Sequence, residues 1–174
     1  ANVTGESNET TPQNSISQTL TNTTNTAQTV VYTVTPISGT CTGPTFTVSV
    51  TVNPSPSIPN QTPAAICSGS AFTVTPANGG STIVPTNTRY TWTVVDNPNV
   101  TGESNQGTSQ TSISQTLTNT SNVAQTVVYT VTPISGAAGS CVGNPFTITV
   151  TVNPRPLISN SPITQTICSG QAFN

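Results

Sequence analysis

Three groups of side chains in this sequence have types and spacings that chemistry can use. Asp96, Asn97, Asn99 and Glu103 form a local cluster of hard oxygen donors, the kind of set from which a calcium ion draws about six to eight ligands. The same Asp-Asn-Pro-Asn run is strong turn chemistry by itself. A turn is the preferred reading, because the matching stretch near the start of the chain keeps only Glu6 of the acidic pair. Cys41, Cys67, Cys141 and Cys168 are the second group. None lies in a Cys-x-x-Cys pair and the chain has no His, so a zinc site is not expected, whereas disulfides in an oxidising or extracellular compartment are. The third group is Trp92 and Tyr129 with rows of Thr beside them. Exposed, such aromatics would suit a polysaccharide and a flat Thr array would suit ice. Core packing is the simpler role for the rings, and the twist of strands spoils a flat lattice.

The rest of the composition removes whole classes of function. Of 174 residues only two are Lys or Arg, four are Asp or Glu, and none is His or Met. The cations are Arg89 and Arg155 and the acids Glu6, Glu9, Asp96 and Glu103. General acid–base and metal-assisted hydrolysis need His, Lys, Cys or paired carboxylates in number, so an enzyme is not expected, nor a cofactor or metal. Two isolated arginines give no footprint for nucleic acid or for an anionic membrane. No apolar run approaches the ~20 residues that span a bilayer, so no membrane insertion is expected. The absence of Lys excludes Lys–Asn isopeptide staples. Asn-x-Ser/Thr sequons at Asn2, Asn8, Asn22, Asn60, Asn99 and Asn119 arise by chance in so Thr- and Asn-rich a chain and indicate surface loops.

The elements that position these residues come twice. Asn-Val-Thr-Gly-Glu-Ser-Asn at Asn2 recurs at Asn99, Ser-Ile-Ser-Gln-Thr-Leu-Thr-Asn at Ser15 recurs at Ser112, and Gln-Thr-Val-Val-Tyr-Thr-Val-Thr-Pro at Gln28 recurs at Gln125, at one constant offset. A small insertion around Ala137 then moves the match, so that Cys41 corresponds to Cys141 and Phe46 to Phe146, and one more pairs Cys67 with Cys168. A unit of about 100 residues is domain-sized and owns a core. The division expected is residues 1–54 as the C-terminal portion of one repeat, 55–154 as a complete repeat, and 155–174 as a linker and the start of another. Since 1–54 lack a Trp-bearing half, the polypeptide is expected to continue on both sides. Pro54, Pro56, Pro59 and Pro63 crowd one join and Pro154, Pro156 and Pro162 the next, which implies extended, semi-rigid joints.

Within the complete unit, Phe72 and Val74 alternate with Thr, as do Tyr90, Trp92 and Val94, then Val127, Tyr129 and Val131, then Phe146, Ile148, Val150 and Val152. Ile113, Gln115 and Leu117 form a weaker face. Period-two patterning in Val, Ile, Thr and aromatic residues specifies strands. Short strands punctuated by Gly, Pro and Asn predict an all-β, antiparallel, immunoglobulin-like sandwich. Its core is expected to hold Phe72, Val74, Tyr90, Trp92, Val94, Leu117, Val127, Tyr129, Val131, Phe146, Ile148 and Val150.

Ile66-Cys67-Ser68-Gly69, the Tyr-Thr-Trp strand, Val-Thr-Gly, Ile-Ser-Gln-Thr-Leu-Thr-Asn, Val-Val-Tyr-Thr-Val-Thr-Pro, the Gly-x-Cys-x-Gly of Gly39 to Gly43 and the closing Phe-Thr-Ile-Thr-Val-Thr-Val-Asn-Pro together resemble PKD-like, immunoglobulin-like repeats of large Bacteroidota surface proteins. They are most similar to the repeats of SprB-type gliding-motility adhesins exported by type IX secretion. The resemblance implies an extracellular, cell-surface stalk whose partners are neighbouring repeats of the same chain, with surface or polysaccharide ligands bound elsewhere. A carbohydrate-binding module and a strand-exchanging filament subunit are the competing readings.

For the cysteines, Cys41 to Cys67 is the pairing nearest in sequence. It is disfavoured because the last strand of the first copy carries the chain roughly 30 Å toward the opposite pole between them. Cys67 near the start of the complete unit and Cys141 before its last strand are expected to share a pole and to form a disulfide. If Cys67 instead lies in the first hairpin turn, it stands at the far pole and staples to a neighbouring domain. Cys41 and Cys168 are expected to find partners outside this stretch.

Overall fold

A computed structural model describes residues 2–137, 139–157 and 164–172. The described residues contain strands and turns and no helix. The first copy holds β1 (Val3–Thr4), β2 (Thr21–Asn22), β3 (Gln28–Val34), β4 (Ile37–Ser38), β5 (Cys41–Thr42) and β6 (Phe46–Val52). The second holds β7 (Ile66–Cys67), β8 (Ser70–Val74), β9 (Arg89–Val94), β10 (Val100–Thr101), β11 (Gln106–Gln110), β12 (Ile113–Asn119), β13 (Gln125–Ile134) and β14 (Phe146–Asn153).

The second copy is a β-sandwich. One sheet has the order β10-β12-β8 and the other β11-β9-β13-β14-β7. Every pairing is antiparallel except that of β7 with β14, where Ile66 lies opposite Val152 and Cys67 opposite Asn153. At Ser68 and Gly69 the chain leaves this sheet and crosses to the other as β8, the Gly69 N–H donating to the Leu117 carbonyl.

Alternation decides which side chains enter the space between the sheets. On β13, Val127, Tyr129 and Val131 are buried while Val128 between them is 41% exposed. Tyr90 and Trp92 of β9 and Phe146, Ile148, Val150 and Val152 of β14 complete one wall, facing Phe72 of β8 and Ile113 and Leu117 of β12. Val74 and Val94 lie partly buried against this core. The rings of Phe72 and Tyr129 meet across the sandwich at 5.2 Å, and those of Tyr90 and Phe146 meet edge to face at 6.5 Å, arrangements that aromatic quadrupoles favour.

The first copy has the same residues at β3 and nearly the same at β6, with Val48 and Ser49 in place of Ile148 and Thr149, but forms only two-stranded sheets, β1-β2, β3-β6 and β4-β5. Its Ile16-to-Leu20 stretch, the counterpart of β12, has no partner corresponding to β8 and is not a strand. A lone strand leaves its backbone groups unpaired, so identical residues take up the ladder only where a partner exists. Along the near wall, Ile16, Ser17, Gln18, Leu20, Tyr32, Val48 and Val50 line an open cavity of about 280 Å³.

Candidate functional site at the joint between the copies

The segment between the copies is built into the second one. Ile58 is buried in its core. Ser57 and Ile83 exchange backbone hydrogen bonds of 2.9 and 2.8 Å, and Gln61 lies parallel to β14, donating to Thr147 and accepting from Thr149. The Asn60 side chain accepts from the Thr147 N–H at 2.9 Å. Each proline removes a donor and fixes φ, and the remaining polar groups find these partners, so the segment is a strap laid on the trailing copy. Pro54 and Pro56 are buried with it.

The β13–β14 loop closes over the strap. Its ends are tied by the Ser135 N–H to the Cys141 carbonyl and the Gly143 N–H to the Pro133 carbonyl, both at 2.9 Å. The loop can touch the strap only because two of its residues lack Cβ atoms. A Cβ at Gly143 would collide with the Pro56 carbonyl, and one at Gly139 would stand 2.7 Å from the Asn53 side-chain nitrogen and 3.7 Å from Cys141 Sγ. Asn53 and Cys141 thus flank one glycine at the entrance end of the second copy.

Cys67 is elsewhere. It stands beside Asn153, at the exit end of the same copy, so the expected Cys67–Cys141 disulfide is not formed. All four cysteines are free thiols in this structure. The 8 residues of β14 separate the two ends by roughly 26 Å, several times what a disulfide spans. The error lies in β7: two residues pairing in parallel with the last strand carry no alternation to read, and they put Cys67 where the chain changes sheets.

Trp92, Tyr129, Asn97 and one oxygen of Glu103 have structural partners, while Asp96 is exposed. Tyr129 Oη donates to Gln115 Oε1 at 2.8 Å, and Gln115 Nε2 donates to the carbonyl and hydroxyl of Ser104. Trp92 Nε1 donates to the same Ser104 carbonyl at 3.1 Å. Gln115, the polar member of the β12 face, thereby satisfies the one polar atom of Tyr129. Tyr32, Gln18 and Ser7 repeat the arrangement in the first copy. Burial pushes the Tyr90 phenol up to about 12. Burial, and then the Glu103 carboxylate, pushes that of Tyr129 higher still. Asn97 and Glu103 are engaged in a turn: the Asn97 side chain accepts from the Asn99 N–H, and Glu103 accepts from the Asn97 N–H. Arg89 and Arg155 are exposed. Pro162, in the second proline-rich join, lies outside the described residues, as does part of the 155–174 segment.

A complete sandwich and an open, partial copy of the same repeat, joined by a strap that belongs to the fold of the complete one, define a tandem-repeat β-domain protein. The chain belongs to the PKD-like domain family, whose pattern it matches over residues 1–56 and 64–156. No curated protein matches the chain.

Ile58, Val100, Ile113 and Val152 belong to the core but not to the set expected from sequence. Ile113 and Val152 lay on alternating faces already read as strands, whereas Ile58 lay in a stretch read as a linker. Ile58 is the only large aliphatic side chain among the prolines between Pro54 and Pro63, and that isolation was the available signal.

Proposed function

We propose that the chain is a stretch of structural repeats from the stalk of a secreted cell-surface protein, an adhesin or filament, whose work is reach and attachment. PKD-like domains are typical of surface proteins. The observation that carries the reading is the joint: a strap bonded along one copy and covered by its loop fixes where the next bead sits. The scarcity of charge leaves a polar surface whose contacts salt barely screens. In this reading the repeats do no catalysis and bind no cofactor. Their partners are neighbouring repeats, and ligands are held by other parts of the protein. A gliding-motility adhesin exported by type IX secretion is the finer form of the proposal, and it rests on the motif resemblance alone.

A carbohydrate-binding role has less support, because Trp92 is 5% and Tyr129 0% exposed, which leaves neither of these rings a face for a sugar. Strand exchange has one observation in its favour, the open wall of the first copy. Small-angle scattering on chains carrying one to four successive copies of residues 55–154 tests the proposal. The expected result is a maximum dimension that grows by a constant roughly 30–40 Å per copy. Collapse to a compact particle, or concentration-dependent polymerisation, would count against a stalk of independent beads. Antibody labelling of intact cells tests the location: staining only after permeabilisation would refute it.

A further inference from the structure

Each repeat carries two cysteines, and the second copy holds them at opposite ends, Cys67 beside Asn153 at the exit and Cys141 beside Asn53 at the entrance. They cannot meet within one copy. The repeat itself shows what faces each. Asn53 is the first-copy counterpart of Asn153, and the two ends are built alike: Asn22 Nδ2 donates to the Val52 carbonyl as Asn119 Nδ2 donates to that of Val152.

Where a complete copy precedes the joint, its own Cys67-type residue therefore stands in parallel register beside Asn53. That places it about 5 Å from Asn53, with its side chain on the same face of the sheet. Asn53 in turn packs against Gly139, whose other neighbour is Cys141 Sγ. Asn53 thus lies between the two cysteines of a joint, in register beside one and against the glycine that neighbours the other.

We propose that Cys141 is the trailing half of a disulfide between successive copies, and that Cys67 is the leading half of the same bond at the next joint. Cys41 and Cys168 are the corresponding halves in the flanking copies. The bond forms by thiol–disulfide exchange with an oxidised dithiol carrier or disulfide buffer. The two cysteine thiols give up two protons and two electrons as their S–S bond forms, and the oxidant's disulfide is reduced to two thiols. A ladder of such bonds, one per joint, passes tension from bead to bead without loading the strap alone. The inference stands on the joint and is independent of what the stalk attaches to.

The test is to fuse a second copy of residues 55–97 ahead of the full chain, which completes the first repeat and adds one Cys67-type cysteine. The chain is folded in a glutathione redox buffer, alkylated under native conditions and mapped without reduction. The expected result is a peptide linking the added cysteine to Cys141, with native alkylation lost at Cys141 but retained at Cys41, Cys67 and Cys168. Reduction or Cys141→Ser should abolish the link. Two successive copies of residues 55–154, each with its own core, provide a second arm that does not depend on completing the first repeat. In the fused chain, Cys141 alkylated as readily as Cys41, or linked to Cys41, Cys67 or Cys168, would overturn the proposal. In the two-copy chain the expected link joins Cys67 of the first copy to Cys141 of the second, and its absence would overturn it too.

Discussion

Gln28–Val34 and Gln125–Val131 are the same seven residues, and both form a strand paired in the same register with the last strand of their copy. In the second copy Val127, Tyr129 and Val131 are sealed between two sheets, whereas in the first Val30, Tyr32 and Val34 are only half-buried. Phe146 is 2% exposed and its counterpart Phe46 is 50% exposed. The hairpin and its Tyr–Gln–Ser hydrogen bonds are thus properties of the local sequence. Burial is a property of the whole sandwich, supplied by β8 and β9, and most of the stability follows burial.

The largest test of this contrast is truncation of the matched phenylalanines. Phe146→Ala should destabilise the second copy by about 3–5 kcal/mol in denaturant unfolding, and Phe46→Ala should change the chain by about 0.5 kcal/mol or less. A similar cost at both sites would mean that the first copy is closed after all.

Gln115→Ala leaves the buried Tyr129 hydroxyl without its partner, and a loss of about 2 kcal/mol is expected. Gln18→Ala faces a wetter Tyr32 and should cost well under half of that, read from the same urea curves. The joint offers a third pair. Gly143→Ala drives a Cβ into the Pro56 carbonyl, whereas at Gly43 the nearest atom is Pro36 Cγ at 3.0 Å, a side-chain atom with room to give. About 1–2 kcal/mol is expected at Gly143 and little at Gly43, and only the first should raise proteolysis of the strap.

The pH response belongs to the complete copy. Tyr90 and Tyr129 have phenols raised above the ordinary 10.0. Above pH 10 the unfolded chain therefore holds fewer protons than the folded one, and stability falls as pH rises. Below pH 10 this contribution is fully present. Melting temperatures should be level from about pH 7 to 9 and drop between pH 10 and 12. A drop beginning near pH 8 would contradict the burial of these rings.

Strands β8, β9, β12, β13 and β14 of the second copy and most of its core were legible because Thr and other polar residues alternate with Val, Ile and aromatic residues, whereas two-residue β10 and the Gln-Gly-Thr-Ser-Gln of β11 carry no such alternation. Trp92 and Tyr129 announced themselves by size. The joint was not legible, for two physical reasons. β7 is too short to show a period, so the side of the sandwich on which Cys67 lies is fixed by a parallel pairing remote in sequence. The strap reads as a linker because its prolines suppress every periodic signal, and only the packed structure shows Ile58 in the core and Asn53 under the β13–β14 loop. The open wall of the first copy lies between these cases. The missing Trp-bearing half could be counted from the repeat, but the failure of Ile16 to Leu20 to form a strand depends on a partner that no local pattern encodes.

Hydrogen exchange resolved to peptides tests the central claim most directly, because Gln28–Val34 and Gln125–Val131 are chemically identical and any difference between them is structural. Slow exchange is predicted at Gln125–Val131 and fast exchange at Gln28–Val34 in the chain as it stands. Fusion of residues 55–97 ahead of the first copy should then slow exchange at Gln28–Val34 to match. Equal protection of the two segments before that fusion, or none gained at Gln28–Val34 after it, would contradict the account.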